Sequence, residues 1–122
     1  MKLKVVLAAA ALLVGAAVSA HEVNKGPHGG PVVEAGSHHV EMVVKGGTVD
    51  VFVTDASDKP VGTDGFKGVA ILTVAGKPQR TVLETKEGAR LSGTSPVALP
   101  SEAKGVVQLT APDGKTSQGR FH

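Results

Sequence analysis

His38-His39-Val40-Glu41-Met42-Val43-Val44-Lys45-Gly46-Gly47-Thr48-Val49-Asp50-Val51-Phe52-Val53-Thr54-Asp55 decides the fold. Two runs rich in β-branched residues flank a Gly-Gly pair, the signature of a tight hairpin. A two-residue loop pairs Lys45 with Thr48. Val44 then faces Val49, Met42 faces Val51 and Val40 faces Val53. These six share one face, which must be the core face, because side chains alternate along a strand. The other face carries His39, Glu41, Val43, Asp50, Phe52 and Thr54, a mixed surface. A one-residue slip would exchange the two faces, so the apolar pattern selects this register.

The rest of the chain extends the same pattern. Gly or Pro interrupts it roughly every 8–12 residues, as in sandwiches and small barrels, and no helix of ordinary length is expected after Ala20. Pro31 to Glu34 reads as a short first strand. Gly68 to Ala75 is a strand that Gly76-Lys77-Pro78 breaks, with Phe66 as an anchor before it. Arg80 to Lys86 is another strand, Leu91 to Glu102 reads as loop, and Lys104 to Ala111 with Lys115 to Phe121 form a second hairpin. An odd-length loop around Pro112-Asp113-Gly114 is expected there, with Val107 opposite Phe121. The expectation is an all-β domain of about seven strands, a Greek-key β-sandwich or open barrel.

Ahead of that domain the chain resembles an export signal. Met1-Lys2-Leu3-Lys4 is a basic start, Val5 to Val18 is apolar, and Val18-Ser19-Ala20 fits small-residue cleavage. The expected organisation is a signal peptide over 1–20, a Gly/His-rich arm over 21–30 and a β-domain over 31–122. The formal charge of +2 is carried by Lys2 and Lys4, so the mature chain is balanced, and the electrostatic case for nucleic-acid binding disappears. No mature apolar run approaches the ~20 residues that span a bilayer. The expected address is a bacterial periplasm.

The chain has no cysteine, Trp or Tyr and 3 Phe. That excludes disulfides, thiolate metal sites and blue copper, and leaves no aromatic platform for sugars or bases. Candidate chemistry rests on histidine. Four of the 5 histidines lie between His21 and His39. Cleavage after Ala20 would give His21 both a ring nitrogen and a free amine to chelate one ion. His28 sits in Gly26-Pro27-His28-Gly29-Gly30, whose glycines let it fold over a neighbouring face. His39 and Glu41 project from one side of a strand and can converge. Imidazoles, an amine and a carboxylate suit Cu²⁺, Zn²⁺ or Ni²⁺ rather than Ca²⁺ or Mg²⁺. The same residues also fit a solvated strand face and a terminal tail. His38 is expected to pair with Asp55 at the strand end, and His122 to face solvent. No catalytic motif is present, and no enzyme activity is expected.

Gly26-Pro27-His28-Gly29-Gly30, His39-Val40-Glu41, and a Val-rich strand ending in Asp55 with Lys59-Pro60-Val61 resemble small exported proteins found with bacterial heavy-metal efflux and resistance systems. Leu91-Ser92-Gly93 and Gly114-Lys115 to Arg120-Phe121 are similar too, so the resemblance runs from Gly26 to Phe121. It implies periplasmic metal handling as a carrier, buffer or efflux accessory, with His28, His39 and Glu41 as ligands. His21 is added by the cleavage argument. The competing expectation is an immunoglobulin-like structural or interaction module, with an efflux component as partner and no metal. The signal reading has a direct check: intact-mass measurement of exported protein should give a chain starting at His21, and any other start removes the amine chelate.

Overall fold

The computed structural model describes residues 24–122. The expected signal peptide and His21 lie outside them. Eight strands and no helix make up the described residues. The first three are β1 (Val32–Ala35), β2 (His38–Lys45) and β3 (Thr48–Thr54). They are followed by β4 (Lys67–Val74), β5 (Lys77–Lys86), β6 (Arg90–Thr94), β7 (Lys104–Thr110) and β8 (Thr116–Phe121). All pairings are antiparallel, in the order β1-β2-β3-β6-β5-β4-β7-β8. β4, β5 and β6 follow one another as neighbours, β3 lies beside β6, and β7 lies beside β4. Each of those outer strands completes a Greek key on the same three. β1 and β8 approach one another, so the sheet curls into a nearly closed barrel.

The first hairpin has the register read from its pattern. Lys45 pairs with Thr48, Val44 with Val49, Met42 with Val51 and Val40 with Val53. All six apolar partners of that face are buried. Of the turn glycines only Gly46 takes a positive φ, 60°, the requirement of a type II′ turn. Ala70, Leu72, Leu83, Leu91, Val107, Leu109 and Phe121 close the interior from the other strands, and Phe66 plugs it from the connection before β4.

Three local expectations change. Arg90–Thr94 is a strand, not loop, and supplies the eighth element. It offers a single large apolar residue, Leu91, so it carries almost no pattern of its own. Its place comes from neighbours, since it pairs with both β3 and β5. Gly76-Lys77-Pro78 does not separate two elements. Ala75 (φ 52°) and Gly76 (φ 79°) make a two-residue turn, and β5 begins at once with Lys77 opposite Val74 and Pro78 opposite Thr73. The last hairpin has the expected odd loop, closed by bonds between Ala111 and both Lys115 and Gly114. Its register differs by two residues: Val107 faces Gly119 rather than Phe121, and Phe121 faces Gly105. The apolar parity survives, and Phe121 covers a residue without a side chain.

β5 is the long strand of the barrel, at 10 residues. Its first part pairs with β4 and its last three residues with β6. After β6 the segment Ser95–Ala103 is tied to the first hairpin. Ser95 N–H donates to Gly47 O (2.7 Å) and Leu99 N–H to Gly46 O (3.0 Å).

Leu72 is fully buried while Val82 is 53% exposed. Leu72→Ala should lower unfolding free energy by about 2–5 kcal/mol, through lost transfer energy and a residual cavity. Val82→Thr should stay within about 0.5 kcal/mol of wild type. Urea denaturation followed by far-UV circular dichroism measures both.

Candidate functional site

The outer face of the first hairpin is covered by the segment that precedes β1. Asn24 and Lys25 run antiparallel to Pro31 and Val32: Val32 N–H donates to Asn24 O (2.9 Å), and Lys25 bridges Pro31. Between them, Gly26 N–H donates to Gly30 O (2.8 Å) and Gly29 N–H to Gly26 O (3.0 Å). The result is a compact loop that sits on β2. Only small residues fit its contacts. A side chain on Gly26 would collide with the Glu41 carboxylate, and one on Gly30 with the Met42 carbonyl.

Glu41 is the centre of this cover. It projects from the outer face of β2, yet it is only 4% exposed. Its Oε2 accepts from His28 N–H (2.9 Å) and Gly30 N–H (2.8 Å), and its Oε1 accepts from His28 Nδ1 (2.9 Å). A buried carboxylate must be compensated, and here three donors from one short loop supply the compensation. The His28 ring also stacks on Phe52, with centroids 3.6 Å apart and planes 8° from parallel. Phe52 pairs with Glu41 across β2 and β3. Strand register therefore supplies both surfaces that hold the imidazole.

His39 lies two residues before Glu41 on the same face. Its Nδ1 donates to Asp58 Oδ1 (2.9 Å), and its Nε2 is 3.8 Å from Glu34 Oε2. Glu34 is its register partner on β1. Asp58 comes from the turn after β3, at a positive φ of 65°. That turn is held by Asp55, whose Oδ1 accepts from Ser57 N–H (2.8 Å) and Lys59 N–H (3.0 Å). Asp55 is thus a turn residue, and the expected His38–Asp55 pair does not form. His38 packs edge-on against Phe66 instead, with centroids 5.5 Å apart. The histidine–aspartate pair of this region is His39–Asp58.

No protein-family model, curated protein or solved structure matches this chain. Geometry has to carry the functional reading.

The structure sets His28 on Glu41, and it sets His39 on the same outer face of β2 with its own carboxylates. It does not gather them into one cluster. Among the described residues, no group of three or more histidine, aspartate or glutamate side chains is arranged to hold a metal ion. His21 lies outside those residues. Both Glu41 oxygens are engaged by the loop, so the geometry displays Glu41 as a hydrogen-bond acceptor that holds His28. The chemistry common to both histidines is a carboxylate at Nδ1. A carboxylate ion only accepts, so in the neutral ring this pairing selects the tautomer with the proton on Nδ1 and the lone pair on Nε2. Three contributors had little or no sequence signal. Asp58 reads as an ordinary turn residue. Glu34 becomes visible only when β1 is set in register. Phe52 follows from the hairpin pairing, but the stacking of His28 upon it does not.

Glu41→Ala would leave the His28 and Gly30 amides without their acceptor. The expected cost is about 2–4 kcal/mol in urea denaturation. Hydrogen exchange at those two amides should accelerate more than in the barrel strands. Unchanged exchange there would show that the loop is held by something other than Glu41.

Proposed function

We propose that this chain binds a divalent transition-metal ion, Cu²⁺ or Zn²⁺, in the periplasm and serves as a carrier, buffer or accessory of metal efflux. The observation that carries this reading is the pair of carboxylate-oriented imidazoles: His28 on Glu41 and His39 on Asp58. Metal-binding histidines commonly donate their second ring nitrogen to a carboxylate. That contact fixes the tautomer, aims the ring and raises its basicity as a ligand. In this reading the ion draws the two rings together: His28 and His39 become ligands through Nε2, and Glu41 and Asp58 orient them. His21, with its ring and amine after cleavage, completes the donor set. The set is all nitrogen, which favours Cu²⁺ and Zn²⁺, with Ni²⁺ next. His28 is further supported by its stack on Phe52, which restricts rotation of the ring.

Calorimetric titration of the exported protein with Cu²⁺ and Zn²⁺ tests the proposal. One-to-one binding is expected, weakened about 10–100-fold by His28→Ala or His39→Ala and by a comparable factor by loss of an orienting carboxylate such as Asp58→Ala. Ligation needs neutral imidazole, so affinity should fall as the solution is acidified. His122→Ala should leave it unchanged. If both single histidine variants bind as well as wild type, the assigned site is wrong. If wild type binds neither ion, the metal reading itself fails.

A further inference from the structure

β2 is twice as long as the strand beside it. It runs over 8 residues, whereas β1 has 4 and pairs only with His38 to Glu41. One more bond continues the ladder, from Met42 N–H to Pro31 O (3.1 Å). Beyond Pro31 the chain leaves this edge and folds over the outer face. Backbone groups alternate in direction along a strand. The Met42 amide faces β1, so the Val44 N–H and C=O face the same side. No backbone partner from the described residues meets them there.

A groove of about 750 Å³ occupies the space where the missing length of β1 would run. β2 forms one wall, and the start of β7 with the end of β8 forms the other. β1 and β8 are the terminal strands of the hydrogen-bonded order, so this is the open part of the barrel seam. The floor is apolar, with Met42, Val44 and Phe121 contributing. The rim is cationic: Lys25, Lys104 and Arg120 line it, with Glu102 as the one acidic side chain and His122 beside them. None of these three cations forms an ion pair among the described residues.

We propose that the groove binds an extended peptide segment of alternating apolar and acidic residues, which adds a short strand beside β2. Its backbone would pair with the Val44 N–H and C=O. Alternate side chains would enter the apolar floor, and the acidic ones between them would face the cationic rim. Strand addition of this kind draws affinity from main-chain bonds and selectivity from alternating side chains. The unpartnered edge of Val44 favours a peptide over a small anionic amphiphile, which would use the floor and the charges but not the edge. The proposal does not depend on metal binding, since the groove and the His28 and His39 rings use different residues.

The probe is a fluorescent hexapeptide alternating valine and glutamate, titrated against the purified protein by anisotropy. Saturable binding is expected, with exchange protection at the Val44 amide. A valine–lysine peptide should bind at least about tenfold more weakly, because the rim would repel it. A valine–glutamate peptide with N-methylated backbone amides should lose binding. Arg120→Glu or Lys104→Glu, both at exposed positions, should each weaken the first peptide about fivefold or more, with the circular dichroism spectrum unchanged. Three results would overturn the proposal: no binding of the valine–glutamate peptide, equal binding of the N-methylated peptide, or an unprotected Val44 amide. Equal binding with N-methylation would assign the groove to small amphiphilic anions instead.

Discussion

Pairing of Lys45 with Thr48 across the Gly46-Gly47 turn determines which side of the sheet every side chain of the first hairpin occupies. One face becomes the floor of the barrel and the other becomes the platform for the candidate site. The same turn has a second use. Its two glycine carbonyls accept the amides of Ser95 and Leu99, and so tie the long connection after β6 to the hairpin. A slip of one residue would turn one strand over against the other, exposing three of the six apolar side chains and setting polar ones against the core. Burial of each Val or Met side chain is worth about 1.5–3 kcal/mol, so the penalty against the slipped register is comparable to the whole stability of a small domain.

On the outer face, Glu41 reverses the usual relation between a strand and the loop above it. A carboxylate at an outward strand position normally stays in water. Here it is enclosed by a loop whose glycines let the backbone come close enough to donate to it. Burial of the charge and ordering of the loop are therefore one event. Without the loop Glu41 is solvated, and without Glu41 the His28 and Gly30 amides lose their acceptor. His28 is drawn into place by the same event, held at its backbone, at Nδ1 and across its ring face. His39 reaches a similar electronic condition by another route, through a turn aspartate.

Much of this was legible along the chain. Alternation in Val40–Val53 specifies the hairpin, its register and its buried face, because a period of two has only one way to hide six apolar residues. Gly26, Gly29 and Gly30 around His28 signal a loop able to approach a surface closely. The all-β Greek-key class follows from the spacing of strands and turns, which fit a sandwich and an open barrel equally; the approach of β1 to β8 makes it a barrel. β6 was not legible, because a strand with one buried leucine gains its identity from the two strands that pair with it. Apolar parity points equally to Val107–Phe121 and to the observed Val107–Gly119, because it does not distinguish registers that differ by two residues.

Local sequence thus determined what depends on neighbours along the chain: the turn at Gly46-Gly47, the alternation, and the capacity of the Gly-Pro-His-Gly-Gly segment to fold tightly. Tertiary structure decided what depends on residues far apart. It brought Glu41 under His28 across 13 positions and Asp58 to His39 across 19. It also ended β1 short of β2, leaving Val44 at an open seam. The physical reason is that a hydrogen bond between distant residues needs the register of several strands at once, and no single stretch of sequence encodes that sum.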